Sequence, residues 1–209
     1  MNHACYWLLD SVIENPFPVH WLNPSYEDLS MAFNRKHHGL SLSEVEESFS
    51  ELCEKRYLGV YIGRHFSEYD QTPLFPSMLE IRSALRGETM MHYVVTPEGG
   101  KQWEALSPPE WQKYSVTGGT PMCIVAGDKA ILEELLLLES YIAPSYEIVS
   151  ESVRKSTIKP WRATYWKTVA VGYSACFETV KNVSTTKDTS MEAYNRWSEI
   201  LNWYEQPDV

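Results

Sequence analysis

The stretch SLSEVEESFSELCEKRYLGVYI, residues 41–62, contains the local signals from which the fold of the first half of the chain is inferred. Ser41 and Glu44 have the spacing of a capping box, in which each side chain accepts a backbone N–H at the start of a helix. Four apolar side chains then recur on one face at helical spacing: Val45, Phe49, Leu52 and Cys53. A break near Tyr57 precedes the apolar run 58–62. The pattern therefore predicts a helix that leads into a short strand.

Further elements are predicted on both sides of this stretch. Helical patterns cover residues 4–14, 23–35 and 76–86, and a strand over 92–96 is expected to return beside strand 58–62. Residues 14–24, ENPFPVHWLNP, contain three prolines and are predicted to be a connection, because proline fixes φ and removes a backbone donor. Thr96 can cap a further helix, for which Pro97 is suited to the first position.

The closing run YVVTPEGGKQWEAL, residues 93–106, leads to a resemblance. Three helices followed by two paired strands resemble the winged-helix fold of bacterial regulators, in which a Tyr-x-Leu-Thr-x-x-Gly run often closes the wing. Tyr93, Thr96 and Gly99 match that run, and Val95 replaces its leucine. The resemblance covers about residues 1–106. It implies a winged-helix domain with an inserted helix in the wing, and winged helices serve both as DNA-binding and as protein-binding modules.

The second half is predicted to be a small α+β domain that we assign to no known family. Residues 108–121 are interpreted as a linker, followed by strand 122–126 and a strongly apolar helix over 129–142, for which Asp128 is the predicted N-cap. Further predictions are strands over 146–149 and 168–177, and a last helix with a capping box formed by Thr189 and Glu192. The predicted fold class is α+β, with a winged-helix-like domain over 1–114 and an α+β domain over 115–209.

The charge of the chain argues against a general affinity for nucleic acid. Of the net charge of −10, residues 1–114 carry −7, with nine basic against sixteen acidic side chains, and residues 115–209 carry −3, with nine against twelve. Nucleic-acid affinity depends largely on lysine and arginine neutralising phosphates. We therefore expect another protein, basic in character, as the partner. The apolar runs are too short to cross a membrane, and we expect no membrane partner.

The cysteines and the N-terminus predict a cytoplasmic protein. The chain has four cysteines in apolar contexts and no Cys-x-x-Cys pair: Cys5, Cys53, Cys123 and Cys176. We interpret them as buried free thiols in a reducing compartment. The first residues lack the basic and apolar regions of a signal peptide.

No motif predicts a metal, a cofactor or a catalytic centre. Adjacent histidines such as His37 and His38 point in different directions and do not chelate as an i, i+4 pair would, so we expect them to be solvated residues of a turn. A Gly-x-Ser-x-Gly elbow is absent, and the glycine pairs at 99–100 and 118–119 lack the spacing of a phosphate-binding loop. An enzyme is therefore not expected, and an enzyme of unrecognised type stays the third alternative.

DNA binding is the first function that the resemblance suggests. A reading helix needs Arg, Lys, Asn or Gln facing the base edges, with phosphate contacts around it. The helix over 41–56 instead contains five glutamates, and its two basic residues lie at its far end. The residues that would contact DNA are therefore basic ones nearby: Arg35, Lys36 and Arg64. A DNA-binding transcriptional regulator is kept as the alternative.

Protein binding is the function that we favour from the sequence. An acidic surface can neutralise a basic partner such as a nuclease toxin, as immunity proteins and antitoxins do, and charge complementarity speeds such association. The same composition also fits a subunit of an unrelated protein assembly. The residues proposed to bind the partner are Glu44, Glu47, Glu51, Trp161 and Trp166. For the two tryptophans, packing inside the protein is the competing interpretation.

Overall fold

A computed structural model describes residues 1–25, 38–63, 72–142, 145–181 and 190–207 of the chain. The fold class is α+β, with helices and small antiparallel sheets. Two compact units are present. Unit 1 comprises Met1–Ser107, Thr164–Lys167 and Pro207–Val209, and unit 2 comprises Pro108–Ala163 and Thr168–Gln206.

Unit 1 combines four α-helices with a three-stranded sheet in its described part. Its elements in chain order are α1 (His3–Ser11), β1 (Phe17–Pro18), a 3₁₀ turn (Val19–Leu22), α2 (Leu42–Glu54), β2 (Leu58–Ile62), α3 (Met78–Leu85), β3 (Met91–Val95) and α4 (Pro97–Leu106). The helix predicted over 23–35 falls mostly outside the described residues. The helices predicted from residues 4, 41, 76 and 97 are confirmed, with ends that differ by a few residues.

The start of α2 is the capping box that the sequence predicts. The Ser41 hydroxyl accepts the Glu44 amide N–H at 3.3 Å, and the Glu44 carboxylate accepts the Ser41 amide N–H at 2.8 Å. Two of the amide groups that a helix start leaves without partners are thereby satisfied. The predicted apolar face is confirmed, because Val45, Phe49, Leu52 and Cys53 are all buried. Local sequence therefore determines both the start of α2 and the face that it buries.

The sheet of unit 1 has the order β1-β3-β2, and all its pairs are antiparallel. The predicted pairing of the second and third strands is confirmed, with Leu58 opposite Val95 and Ile62 opposite Met91. The prediction that residues 14–24 are only a connection is wrong, because Phe17 and Pro18 form β1. Proline is tolerated there because β1 is an edge strand. One side of an edge strand has no neighbouring strand, so an N–H missing from that side removes no hydrogen bond of the sheet.

The turn into α4 gives physical roles to Thr96 and Gly99. The Thr96 hydroxyl caps the helix by accepting the Gly99 amide N–H at 3.1 Å, and it donates to the Arg56 carbonyl at 2.6 Å. A Cβ at position 99 would lie only 2.0 Å from the Tyr57 carbonyl oxygen. Glycine at this position therefore permits α4 to approach the chain between α2 and β2.

The core of unit 1 contains a network of buried polar side chains. The Asp10 carboxylate accepts a hydrogen bond from Trp103 Nε1 at 2.9 Å and from the Tyr6 hydroxyl at 3.3 Å. The Tyr6 hydroxyl also lies 2.7 Å from the Ser107 hydroxyl. All four side chains are buried. Buried polar groups are costly unless they are paired, and these contacts supply the partners.

Unit 2 is built on a four-stranded antiparallel sheet with two α-helices in its described part. Its elements are β4 (Ser115–Gly118), β5 (Met122–Ala126), α5 (Lys129–Ile142), β6 (Tyr146–Ile148), a 3₁₀ turn (Ser150–Ser152), β7 (Arg154–Ile158), β8 (Trp161–Arg162), β9 (Thr168–Val169), β10 (Gly172–Phe177), β11 (Thr179–Lys181) and α6 (Met191–Ile200). The sheet order is β4-β5-β10-β7, and β6 pairs with β11 and β8 with β9.

The two edge strands of this sheet were not predicted. Residues 115–118 form β4, although the sequence was interpreted as a linker there, and residues 154–158 form β7. Both strands are largely exposed and polar, so they lack the apolar run by which β5 is predicted. The predicted strand 168–177 is divided into β9 and β10. Its hydrogen-bonding partners come from three different parts of the chain, which local patterns do not reveal.

The helices of unit 2 pack onto the sheet through apolar side chains. Asp128 accepts the Ala130 amide N–H at 2.7 Å at the start of α5, as predicted. The shared core is formed by Ile124, Ala126, Leu132, Leu135, Leu138, Ala175, Phe177, Ala193 and Ile200. The predicted cap of the last helix is wrong, because Ser190, not Thr189, is the N-cap of α6 and accepts the Ala193 amide N–H. Thr189 itself lies outside the described residues.

The prediction that all four cysteines are free thiols is wrong for two of them. Cys123 of β5 and Cys176 of β10 are directly opposite each other and form a disulfide. Cys5 and Cys53 are free and buried, as predicted. The pairing follows from the register of two strands whose cysteines are separated by 53 residues, so no local spacing signals it.

Candidate functional site

The exposed side of α2 is the candidate functional surface of unit 1. Four glutamates, each about one helical turn from the next, are exposed along it and are called the acidic face here: Glu44, Glu47, Glu51 and Glu54. At a rise of 1.5 Å per residue the acidic face is about 15 Å long. The structure therefore brings together the three predicted glutamates, and it adds Glu54 to them.

Local hydrogen bonds lower the pKa of two of these carboxylates, Glu44 and Glu51. The hydrogen bond from the Ser41 hydroxyl lowers the pKa of Glu44. The hydrogen bond from Lys55, at 2.6 Å, lowers the pKa of Glu51. The Glu47 carboxylate accepts the Ser43 hydroxyl at 3.0 Å. Because Glu51 and Lys55 are each about half exposed, their pair is screened by solvent and does not remove the acidic character of the face.

The basic residues of unit 1 that the structure describes are engaged with acidic or aromatic neighbours. Arg82 of α3 donates to Glu46 of α2 at 2.9 Å, and Arg86 donates to Glu88 at 2.7 Å. The Arg56 guanidinium lies over the Phe75 ring, 5.0 Å from its centroid. Arg35, Lys36 and Arg64, the residues predicted for DNA contact, lie outside the described residues. Within the described part, the surroundings of α2 therefore offer no concentrated basic surface.

Trp161 lies inside unit 2. Its side chain is 5% exposed. Its ring stacks on that of Tyr114 with centroids 6.0 Å apart, and a Cβ at Gly172 would lie 2.6 Å from the indole. Tyr114 also contacts Trp111 and Trp203, whose rings are 4.9 Å apart. This aromatic cluster is part of the packing of unit 2, which is the competing interpretation made from the sequence for Trp161.

Trp166 lies in the segment Thr164–Lys167, which belongs to unit 1 and is called the inserted segment here. Its indole Nε1 donates to the Ile13 carbonyl at 2.8 Å, and its ring covers Gly100 of α4. The neighbouring Tyr165 hydroxyl donates to the Val12 carbonyl and accepts the Val95 amide N–H, both at 2.7 Å. Lys167 forms an ion pair with Glu104 of α4. Trp166 is thus half-buried, with its polar atom committed to the backbone of unit 1.

Other kinds of site find little support in the part of the chain that is described. His38 is buried against Trp7, with ring centroids 5.1 Å apart, and its Nδ1 accepts the Leu40 amide N–H. The expectation that His38 is a solvated turn residue is therefore wrong, and His37 lies outside the described residues. Among the described residues, no three His, Cys, Asp or Glu are close enough to hold a metal ion. No described helix has the length and apolar character that crossing a bilayer requires.

Comparison with protein families, with characterised proteins and with solved structures finds no match to this chain. The candidate surface is therefore argued from geometry and charge alone. Reasoning from the sequence missed the Cys123–Cys176 disulfide, because strand register brings those residues together. It also missed the hydrogen bonds of the Tyr165 hydroxyl, because their partners at Val12 and Val95 are distant in sequence.

Proposed function

We propose that unit 1 is a winged-helix-type module that binds a basic protein through the acidic face of α2. The order of its elements supports the module: a helix, an edge strand, α2, and two paired strands with α3 inserted between them. The sheet order β1-β3-β2 and the helix capped by Thr96 after β3 add to this support. In this proposal α2 occupies the position of the helix that reads DNA in the regulators.

One observation carries the choice of a protein over DNA. Between Leu42 and Glu54, α2 has five glutamates and no Arg, Lys, Asn or Gln, and four of the glutamates form the exposed acidic face. Carboxylates repel phosphates, and the acceptor pattern of a carboxylate suits few base edges. A surface of lysine and arginine side chains is its natural complement.

The partner class follows from the same chemistry. A row of exposed carboxylates accelerates encounter with a basic protein and discriminates against acidic ones, while the rim charges contribute less to final affinity. An immunity or antitoxin protein needs fast and selective binding to its basic toxin. A subunit that contacts a basic neighbour in an assembly needs the same selectivity. The proposal includes the cytoplasmic location predicted from the sequence; the free thiols of Cys5 and Cys53 agree with it, whereas the Cys123–Cys176 disulfide is typical of an oxidising compartment.

A charge-reversal experiment tests this function. The variant E47K/E51K/E54K reverses most of the acidic face but keeps the capping box of Ser41 and Glu44, so α2 retains its helix start. The variant E147K/E178K/E192K makes the same charge change at exposed positions of unit 2 and is the matched control. Proteins captured from a lysate of the source cells with the native chain are identified, and the affinity of each purified candidate is measured for all three proteins.

The expected result is a basic partner whose affinity falls at least tenfold with the α2 variant and stays within about twofold with the control. The affinity of the native chain should also decrease as salt rises, because the exposed charges are screened. A partner that binds all three proteins equally removes the acidic face from the function. Binding of the native chain to a short mixed-sequence DNA duplex, with a steep dependence on salt, supports the DNA-binding regulator instead.

A further inference from the structure

The Cys123–Cys176 disulfide lies on the face of the unit 2 sheet that is turned away from the helices. Side chains alternate between faces along a strand. Ile124 and Ala175, the neighbours of the two cysteines in sequence, are opposite each other and are buried in the core with α5 and α6. Cys123 and Cys176 therefore project from the other face. Both are partly exposed, in contrast to the buried core pair beside them.

The two strands that flank the disulfide leave it accessible on one side. In the register of the sheet, Gly118 of β4 is opposite Cys123. Residues that are directly opposite in an antiparallel pair share a face, with Cβ atoms about 5 Å apart, so any side chain at position 118 would stand beside the disulfide. Glycine has none, and a Cβ built there would meet no atom within 4 Å. Strand β4 thus places no side chain beside Cys123, whose sulfur lies 3.6 Å from the Pro121 carbonyl oxygen in the turn between β4 and β5.

The other side of the disulfide carries a positive charge. Arg154 of β7 is opposite Cys176 and is exposed, and its guanidinium donates to the carbonyls of Glu151 at 2.7 Å and Val153 at 3.1 Å, so its charge acts on the disulfide from a distance. A neighbouring cation stabilises a thiolate, and a sulfur that forms a stabilised thiolate is the better leaving group in exchange. The row Gly118–Cys123–Cys176–Arg154 therefore combines an open approach to one sulfur with a charge that favours departure of the other.

We propose that Cys123–Cys176 is a thiol–disulfide exchange site that reacts with low-molecular-weight thiols, such as glutathione, while unit 2 stays folded. A thiolate attacks the Cys123 sulfur, forms a mixed disulfide and breaks the Cys123–Cys176 bond, and Cys176 leaves as a thiolate beside Arg154. A second thiolate attacks the small-molecule sulfur of the mixed disulfide. This step releases the small-molecule disulfide and the Cys123 thiolate, and both protein thiolates can then take protons from water. Two thiols are oxidised for each protein disulfide that is reduced.

Cys5 and Cys53 supply internal controls. Burial raises the pKa of the Cys5 thiol, and it raises the pKa of the Cys53 thiol to about 12. Both lie in unit 1 and are buried, so neither should react with a thiol reagent while unit 1 is folded. Labelling of Cys123 and Cys176 without labelling of Cys5 and Cys53 therefore shows that unit 1 stays folded during the reaction, and unchanged hydrogen exchange in β5 and β10 reports the same for unit 2.

The test treats the full chain with reduced glutathione near neutral pH and traps free thiols with iodoacetamide for mass spectrometry. Cys123 and Cys176 should become labelled at a rate proportional to the glutathione concentration, and some molecules should carry glutathione on Cys123. A rate that does not depend on glutathione concentration means that opening of the fold precedes attack, and it overturns the proposal. Labelling of the pair only in denaturant overturns it as well.

Two substitutions test the flanking residues separately. G118V places a branched side chain beside the disulfide without a clash and should slow exchange severalfold, whereas T117V, on the opposite face of β4, should not. R154Q should slow exchange severalfold, because it removes the cation that stabilises the leaving thiolate, and a less stabilised thiolate leaves more slowly. K155Q removes a cation from the core face of β7 and is its control. Unchanged exchange in both G118V and R154Q contradicts the assigned geometry.

Discussion

The indole of Trp166 fills the space that a side chain at Gly100 would need, since a Cβ built at position 100 would lie 2.1 Å from Trp166 Cζ3. Gly100 is in the first turn of α4, and Trp166 belongs to the inserted segment of unit 1. The adjacent Gly99 packs on the Tyr57 carbonyl in the same way. The first turn of α4 therefore contains two glycines, because backbone beside Gly99 and an indole beside Gly100 leave no room for side chains.

Replacing Gly100 by alanine should destabilise unit 1. Alanine is the better helix former, so helix propensity alone predicts a gain, but overpacking typically costs about 1–3 kcal/mol and should prevail here. The measurement is the free energy of opening of α4, from hydrogen exchange of the native protein. In the background W166A the same change should become favourable, because the clash is gone. K101A, at the exposed neighbouring position, is the control; a G100A variant as stable as K101A contradicts the packing.

Replacing Tyr165 by phenylalanine should loosen α1 and β3 together. The hydroxyl serves the Val12 carbonyl and the Val95 amide N–H, and each buried group left without a partner costs about 1–3 kcal/mol. Faster hydrogen exchange is expected in peptides from both elements. The matched control is Y146F, which removes the hydroxyl of a half-exposed ring and should change stability by less than about 0.5 kcal/mol. A change in only one of the two elements would show that Tyr165 does not join them.

Replacing Asp10 by alanine should be among the most destabilising single changes in unit 1. The carboxyl group accepts the Trp103 Nε1–H in the core, and a buried donor left without its partner costs about 1–3 kcal/mol. D10N keeps an oxygen acceptor at the same place and should recover part of the loss. The readout is urea unfolding of the native chain and both variants, followed by hydrogen exchange in α1 and α4. Equal stability of D10A and D10N would show that the hydrogen bond to Trp103 contributes little.

The stability of unit 1 should fall as pH is lowered from about 7. Burial lowers the pKa of His92 and that of His20, and the neighbouring His20 lowers that of His92 further. Both histidines bind protons more weakly in the folded state than at the unfolded-state value of about 6.5. The stability that comes from keeping both histidines neutral is fully present above the unfolded-state pKa. It is lost as pH falls from that pKa through the lower pKa of the folded state.

The measurement for the histidines is the opening free energy of β3 from about pH 7.5 to 5. H92Q should flatten the decline, because the residue that titrates there is gone, whatever its effect on absolute stability. H3Q, at an exposed position of α1, should leave the slope unchanged. A native chain whose stability does not vary across this range would contradict the assignment.

The parts of the fold that the sequence predicted are those with local signals. The capping box of Ser41 and Glu44, the cap at Asp128 and the buried face of α2 depend on residues within a few positions of one another. The strand pair β2–β3 was predicted because its apolar strands precede recognisable helix signals. The same helical periodicity predicted the acidic face, because the glutamates occupy the helix positions that do not lie on the apolar face.

The parts that were missed depend on contacts between distant positions. β4 and β7 are strands only because β5 and β10 offer their edges, and their own side chains are polar and exposed. The partnership of Cys123 with Cys176 needs the register of β5 against β10. Likewise, no pattern near Tyr165 and Trp166 indicates that their partners are Val12, Ile13 and Val95, about 150 and 70 positions earlier.

The membership of the inserted segment in unit 1 has a consequence for the order of events during synthesis. A ribosome has made all of α1 to α4 long before it reaches Tyr165 and Trp166, so the nascent chain at that stage lacks both hydrogen-bonding side chains and the cover over Gly100. Domains generally fold as units, the N-terminal one first. Unit 1 can complete its native contacts only after residue 167 has left the exit tunnel, and its maturation on the ribosome is therefore delayed until most of the chain exists.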